Sequence, residues 1–373
     1  MNHVYKKLRK HLNSMPVGFP KTFSGIEYKI LQKVFTPEYA SIALVMDYKA
    51  ETAEDIFNKL KNISCTREEV ATLLDDMVSY GAIFLQKVGD VKKYALVPLV
   101  VGMHEFQTDK MSQRYYRDIV SYFKKGYAID YLTTSIPQMR VVPIEKSVKS
   151  ETKINTYDEI RRLIENTPGK LTITDCICKK GQMHDHEPCK QSKTNETCIG
   201  LMDYSDNFIR EGWGREISKD EALEIIVQCE KDGLIIQTAN EQNPQFICAC
   251  CSCCCGVLSM MKNFPRPRDF AAANFIVKVD EEPCIGCGKC LKRCNLNALT
   301  IVDGKAVIDT GKCIGCGLCV SQCKPEALQL LYAKENVIPP LDTAELYETI
   351  RREKKNKVFR LFTLLKALLG FKT

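Results

Sequence analysis

The sequence lacks any long apolar stretch, and this limits where the chain can work. Its longest apolar run, about residues 95–103, is interrupted by Pro98 and falls well short of the roughly 20 residues that a membrane-spanning helix needs. The residues from Met1 to Lys7 are not followed by the apolar segment of a secretory signal. We therefore expect a cytoplasmic protein that does not cross a membrane.

Cysteine is nearly absent from the first half of the chain and dense in the second. Only Cys65 lies within the first 175 residues, whereas the other 19 of the 20 cysteines lie between Cys176 and Cys323. Disulfides are rare in proteins that are not exported, so a dense set of cysteines in such a chain indicates metal ligation.

Nucleotide-binding motifs and an overall charge excess are also missing. Neither GxGxxG nor GxxxxGK[ST] occurs, so no nucleotide or flavin site is predicted. The net charge is +7, but residues 351–373 alone hold 8 basic residues and 1 acidic residue, and the remaining residues carry 45 of each sign. A neutral body gives no indication of a nucleic-acid partner.

The first 110 residues are predicted to be a helical module that ends in a β-hairpin. Two pairs mark helix starts as capping boxes: Thr52 with Asp55, and Thr66 with Glu69. They predict helices over about 53–61 and 66–80, followed by a hairpin over 82–97. This is the order of a winged helix. The second helix sets Arg67 against four acidic residues, which argues against DNA binding because phosphate contact needs basic side chains.

The strongest motif is a cysteine pattern, CxxCxxCxxxC, that occurs twice with a separation of 29 residues. Its members are Cys284, Cys287, Cys290, Cys294, Cys313, Cys316, Cys319 and Cys323. The repeat resembles the bacterial two-cluster ferredoxins, in which each run binds one [4Fe-4S] cluster through three thiolates and the other cluster through its fourth. The resemblance implies two clusters with these ligand sets: Cys284, Cys287, Cys290 and Cys323; and Cys313, Cys316, Cys319 and Cys294.

The repeat departs from the family at one kind of position. The proline that usually follows the fourth cysteine is Asn295 in the first copy, and in the second copy it is shifted to Pro325. Glycines stand between the cysteines, where they permit backbone conformations that a Cβ resists. We expect the departures to alter helix starts and cluster potentials but not ligation.

Ten further cysteines form two groups upstream of the repeat. They are Cys176, Cys178, Cys189 and Cys198, then Cys248, Cys250, Cys251, Cys253, Cys254 and Cys255. Six thiols in eight residues predict a loop that supplies ligands to more than one metal centre, and we expect one or two additional iron-sulfur clusters. Ten ligands suffice for two cubanes with two thiols left over, or for one larger assembly, and these alternatives stay open.

Other features near these groups carry weaker predictions. The run Cys254-Cys255-Gly256 is loosely similar to the cysteine-rich motif of heterodisulfide-reductase-like subunits. His184 and His186 are interpreted as part of a polar loop, and Cys65 and Cys229 as buried residues without a ligand role.

The C-terminal segment is predicted to be an amphipathic helix. One face carries Val358, Leu361, Phe362, Leu365, Leu368 and Leu369, and the other carries Arg360, Thr363 and Lys366. Such a helix can lie on an anionic membrane surface, dock on a partner subunit or pack on its own domain. Membrane contact would place the protein at the inner face of the membrane.

Together the patterns predict an α+β protein with five parts. They are a winged-helix-like domain (1–110), a helical connector (111–170), a Cys-rich cluster-binding domain (171–262), a two-cluster ferredoxin domain (263–335) and a basic amphipathic tail (336–373). This order looks like that of the multi-cluster ferredoxins of anaerobic prokaryotes.

Three functions fit these features, and we favour the first. An electron carrier would pass low-potential electrons through the clusters to a redox protein or a larger oxidoreductase complex. A metal-dependent oxidoreductase would act on a disulfide or other small substrate at the upstream cysteines. A redox-responsive winged-helix regulator would bind DNA, which the acidic helix disfavours. Whether the chain is itself an enzyme stays open.

Overall fold

The computed structural model describes residues 3–61, 65–147, 158–333, 336–354 and 357–373. Helices and strands are mixed along the chain, which confirms the α+β class. Within the described ranges, no helix has the length and apolarity needed to span a membrane.

Helices and a small sheet make up the front of the chain. Its elements are α1 His3–Ser14, α2 Ile26–Val34, α3 Pro37–Ala43, β1 Glu51–Thr52, α4 Ala53–Lys59, α5 Arg67–Ser79, β2 Phe84–Val88 and β3 Val91–Ala95. Both predicted capping boxes are present, at Thr52 and Thr66. The predicted hairpin is also present, with Phe84 opposite Ala95, and β1 adds a third antiparallel strand on β3.

The next stretch, up to residue 170, joins the front to the Cys-rich part. It contains α6 Gln113–Tyr122, α7 Ala128–Leu132, β4 Met139–Val141 and α8 Ile160–Asn166. The sequence predicts a start for α8 at about Tyr157, which lies outside the described residues, and the helix is observed from Ile160.

The Cys-rich part is built on a six-stranded antiparallel sheet. Its elements are β5 Leu171–Asp175, α9 Ile177–His184, β6 Glu196–Gly200, α10 Met202–Glu211, β7 Arg215–Ile217, α11 Lys219–Asp232, β8 Ile235–Ala239, β9 Phe246–Cys250 and α12 Gly256–Lys262. The strand order is β4-β8-β9-β6-β5-β7, so β4 from the connector forms one edge. Ser218 caps α11 through the Glu221 N–H, and Gly233 ends it in a left-handed conformation.

The last part contains a pair of two-stranded sheets and the C-terminal helices. Its elements are β10 Phe275–Val279, α13 Lys289–Arg293, β11 Leu299–Val302, β12 Lys305–Ile308, β13 Leu328–Tyr332, α14 Thr343–Arg352 and α15 Lys357–Leu368. β10 pairs with β13 and β11 pairs with β12, both antiparallel.

The part that carries the repeated cysteine runs is attached to the edge of the large sheet at β4. The Val141 N–H donates to the Ala272 carbonyl (2.8 Å), and the Ile144 N–H donates to the Cys316 carbonyl (3.2 Å). The buried guanidinium of Arg140 pairs with Asp158, whose other oxygen accepts from Asn274 Nδ2 (2.8 Å). These bonds hold the second cysteine run against the Cys-rich part.

Candidate metal centres

The first cysteine run and the end of the second form one site at the surface. Cys284, Cys287, Cys290 and Cys323 line the same cavity, so the fourth thiol comes from the other run, as the resemblance implies. The backbone N–H of Ala306 donates to Cys284 Sγ at 3.3 Å, and this bond is the main reason that the pKa of the Cys284 thiol is lowered. Cys287 is exposed.

The second run forms a more buried site with the last cysteine of the first. The thiols of Cys313, Cys316 and Cys319 each interact electrostatically with Cys294, whose Sγ accepts from the Ala298 N–H at 3.1 Å. Burial raises the pKa of Cys316 to about 12. A buried thiolate here needs a positive partner, which the iron of a cluster would provide.

Glycines shape both runs as the spacing predicts. Gly286 and Gly315 occupy equivalent positions in the two runs, and both have a positive φ, +64° and +69°. A Cβ on Gly286 would overlap the carbonyl oxygen of Gly304, and a Cβ on Gly315 would overlap that of Phe275. Each loop therefore folds tightly only because these residues have no side chain.

The ten upstream cysteines separate into a group of four and a group of six. The four-thiol site consists of Cys189, Cys251, Cys253 and Cys254, whose sulfurs all lie within 4.8 Å of one another. The neighbouring thiol of Cys254 lowers the pKa of Cys251. Cys189 comes from the loop after α9, and the other three come from the loop between β9 and α12.

The remaining six form a row of neighbouring thiols, the six-thiol row: Cys176, Cys178, Cys255, Cys250, Cys248 and Cys198. Electrostatic interactions join each thiol to the next along this order. The thiol of Cys250 also interacts electrostatically with those of Cys176 and Cys178. Cys176 and Cys255 stand at the N-termini of α9 and α12.

One expectation about this segment is partly wrong. The sequence predicts a loop for all six cysteines from Cys248 to Cys255, but Cys248 and Cys250 lie on strand β9. Residues two apart on a strand point to the same face, so β9 presents both thiols together. Cys248 is paired in register with Cys198 on β6, which explains why those two thiols meet.

The other cysteines and the histidines stand apart from these sites. Cys229 is buried in α11 as predicted, whereas Cys65, which lies just before α5, is only half-buried and departs from the prediction. His184 and His186 are both exposed and belong to no group of closely spaced ligands among the described residues.

A direct contact joins the second site to the four-thiol site. Asn295, which follows Cys294, accepts a hydrogen bond on its Oδ1 from the Ser252 N–H at 3.2 Å. Ser252 lies between Cys251 and Cys253. Asn295 Nδ2 also donates to the Gly233 carbonyl at 3.0 Å. Sequence reasoning singled out Asn295 only as a departure from proline and gave no sign of this bridge.

Residues 277–330 match the family model described as a 4Fe-4S dicluster domain. The match lies within the predicted segment 263–335 and includes all eight cysteines of the repeat. Comparison with curated proteins gives no match, and comparison with solved structures gives none either. The chain therefore contains a ferredoxin-like 4Fe-4S dicluster domain, which supports [4Fe-4S] clusters among its cofactors.

Proposed function

We propose that this chain is an electron-transfer protein that relays low-potential electrons between a redox partner and a centre on the upstream cysteines. The Asn295–Ser252 hydrogen bond carries this proposal, because it joins the loop after Cys294 directly to the short loop that Cys250 and Cys255 of the six-thiol row flank. A contact of this kind gives electrons a short route between the two cysteine-rich regions.

The relay we propose consists of three clusters. Cys284, Cys287, Cys290 and Cys323 would hold a surface [4Fe-4S] cluster, and Cys313, Cys316, Cys319 and Cys294 a more buried one. A further cluster would use four of the six-thiol row, and the mutual interactions of Cys176, Cys178, Cys250 and Cys255 support this choice. The clusters supply the electron transfer itself, and the chain sets their burial and hydrogen bonding.

We propose that a redox protein docks beside the surface cluster. Cys287 is exposed, and the neighbouring Ile285 exposes 71% of its surface. An apolar side chain beside an exposed ligand offers a partner contact area close to the cluster. The acceptor would be a separate redox protein or another subunit of an oxidoreductase complex.

The front of the chain is proposed to be a winged-helix-like scaffold rather than a DNA reader. On α5 and the hairpin, Arg67 pairs with Glu54 and Lys92 pairs with Asp75, so these cations are already neutralised. The Leu85 carbonyl on β2 accepts from Asn207 Nδ2 at 2.6 Å, which ties the hairpin to α10. A DNA-binding role would need cations and a hairpin that are free.

The C-terminal helix is proposed to rest on an anionic membrane surface. Its apolar face is exposed, from Val358 at 79% to Leu369 at 72%, while Arg360 on the opposite face bonds Asp130 of α7. The apolar face is therefore not packed on the protein, and the basic residues around it complement lipid phosphates.

The relay is tested by measuring iron and acid-labile sulfide in anaerobically purified protein. Two cubanes give about 8 iron atoms per chain, and a third raises the total to about 12. We expect about 12 iron atoms per chain. The spectrum of the reduced protein should show that the clusters interact with one another. A value of about 8 iron atoms would contradict the upstream cluster, and a value well below 8 would contradict the ferredoxin assignment as well.

A further inference from the structure

The four-thiol site has a geometry unlike that of the ferredoxin sites. Its sulfurs are separated by 3.6 Å (Cys189 to Cys251), 3.8 Å (Cys189 to Cys253), 3.2 Å (Cys251 to Cys253) and 3.7 Å (Cys253 to Cys254). All four lie within 4.8 Å of one another, and among the described residues no three of the eight ferredoxin thiols are so close.

The spacing distinguishes a single ion from a cluster. Four thiolates around one zinc ion at about 2.3 Å lie about 3.8 Å apart by tetrahedral geometry. A cubane instead carries each thiolate on a different iron atom, so its ligand sulfurs are separated by the width of the cube. The distances between these four sulfurs fit the single ion.

We infer that Cys189, Cys251, Cys253 and Cys254 bind one tetrahedral divalent ion of the zinc class. Thiolates alone in a tetrahedral set favour zinc over the harder cations, and four protein ligands leave no open position for a substrate. The site would then be structural, and the ten upstream cysteines would serve two different kinds of centre.

The surroundings of the site agree with a structural ion. The Ser192 N–H donates to Cys189 Sγ at 3.4 Å, a bond that supports a thiolate. Gln182 on α9 donates to the Cys253 carbonyl at 2.9 Å, so α9 and the loop between β9 and α12 already meet without the ion. Bound zinc would lock the loop after α9 to the loop between β9 and α12.

A disulfide is the competing use of such close thiols. All four cysteines are free, and the shortest separation, 3.2 Å between Cys251 and Cys253, is well beyond the roughly 2.05 Å of an S–S bond. With neighbours on both sides, each thiol is placed to share one ion rather than to pair with one partner.

The test is the metal content of the full chain, purified without oxygen from zinc-supplemented medium, together with that of two variants. We expect about one zinc per chain in the wild type, a loss of most of it in Cys251→Ser, and no loss in the control Cys65→Ser. Iron should be unchanged in both variants. Replacing the zinc by Co²⁺ should give the visible spectrum of a tetrahedral thiolate complex.

Three results would overturn the inference: a wild-type chain without zinc, a Cys251→Ser variant that keeps its zinc, or a Cys251→Ser variant that loses about four iron atoms, the content of one cubane. Zinc bound elsewhere would survive the substitution. A second ligand variant, Cys254→Ser, and circular dichroism test for misfolding. Both Cys251→Ser and Cys254→Ser must lose zinc while retaining wild-type helix content. Failure here leaves the ferredoxin iron in place, so it is distinct from failure of the relay.

Discussion

Asn295 Oδ1 accepts a hydrogen bond from the Ser252 N–H at 3.2 Å, and this bond connects the ferredoxin-like part to the loop that carries three closely spaced thiols. Because the ferredoxin family usually has proline at the position of Asn295, the substitution places an amide where the ordinary fold offers none. The departure from the family pattern is therefore the point at which the two cysteine-rich regions meet.

Replacing this amide should slow electron transfer between the regions without removing a cluster. Asn295→Pro loses the bonds to both Ser252 and Gly233, each worth about 1 kcal/mol of stability. We expect unchanged iron content, wild-type reduction of the ferredoxin clusters and a several-fold slower reduction of the upstream centre in anaerobic stopped-flow experiments.

Asn295→Asp keeps the acceptor for Ser252 and should retain most of the rate. Equal rates in the proline variant and the wild type would contradict this role.

A glycine pair offers a matched test of the surface cluster. Gly286 and Gly288 both have positive φ, so alanine at either position costs about 1 kcal/mol in backbone strain. Only at Gly286 would the new Cβ overlap another backbone, at the carbonyl of Gly304, whereas the space beside Gly288 is open. Gly286→Ala should lose about four iron atoms per chain, and Gly288→Ala should keep them. Iron analysis and anaerobic unfolding curves check both, and equal losses would refute the steric explanation.

The ferredoxin sites were predictable from sequence, and the partition of the upstream thiols was not. Three thiols of each ferredoxin site come from one short run, so local spacing alone indicates the site. In the four-thiol site, Cys189 meets Cys251 across 62 residues, and this meeting depends on the order of the sheet strands. Likewise Cys198 faces Cys248 because β6 pairs with β9, which no local pattern encodes.

The helices with capping boxes were predicted well for the same reason. Thr52 and Thr66 act within one helical turn of themselves. The position of β4 on the edge of the large sheet could not be read in this way, because it depends on pairing with β8 almost 100 residues later.

The stability of the folded chain should fall as pH rises from 4.5 to about 8, because over this range Glu241 is protonated only in the folded state. The side chain is fully buried, and burial raises its pKa from 4.5 to about 8. Below pH 4.5 both states hold the proton, so the group contributes no pH dependence there. Between 4.5 and 8 the unfolded chain releases the proton while the folded chain keeps it, and stability declines. Above 8 the loss is complete and constant.

Glu241→Gln should reduce this decline because the amide is neutral at every pH. Its oxygen can still accept from Thr343 Oγ1, which donates to Glu241 Oε1 at 3.1 Å. Denaturant unfolding from pH 5 to 9, without oxygen, measures the slope. The exposed control Glu224→Gln should retain the wild-type slope, and a variant at Glu241 that also retains it would show that burial of this carboxyl does not govern the decline.

Arg360 holds the C-terminal helix with its apolar face outward. Its guanidinium bonds Asp130 Oδ1 at 2.5 Å and Thr133 Oγ1 at 2.9 Å, so the polar side of α15 faces the protein. An amphipathic helix that packed only for stability would bury the opposite side. The exposed leucines and phenylalanines therefore indicate an external apolar surface as their partner.

We expect the full chain to sediment with vesicles that contain anionic phospholipid and to bind neutral phosphatidylcholine vesicles much more weakly. Leu361→Asp removes an exposed apolar contact, and since burial of a leucine contributes about 1.5 to 3 kcal/mol, affinity should fall by about tenfold or more. Ile338→Asp makes the same change at an exposed residue outside the helix and should leave binding unaffected. Added salt should weaken the interaction, because part of it is electrostatic.

Membrane docking would be contradicted if binding were the same for anionic and neutral vesicles and were unchanged by Leu361→Asp. A concentration-dependent dimer that is lost in Leu361→Asp would assign the apolar face to a second copy of the chain instead.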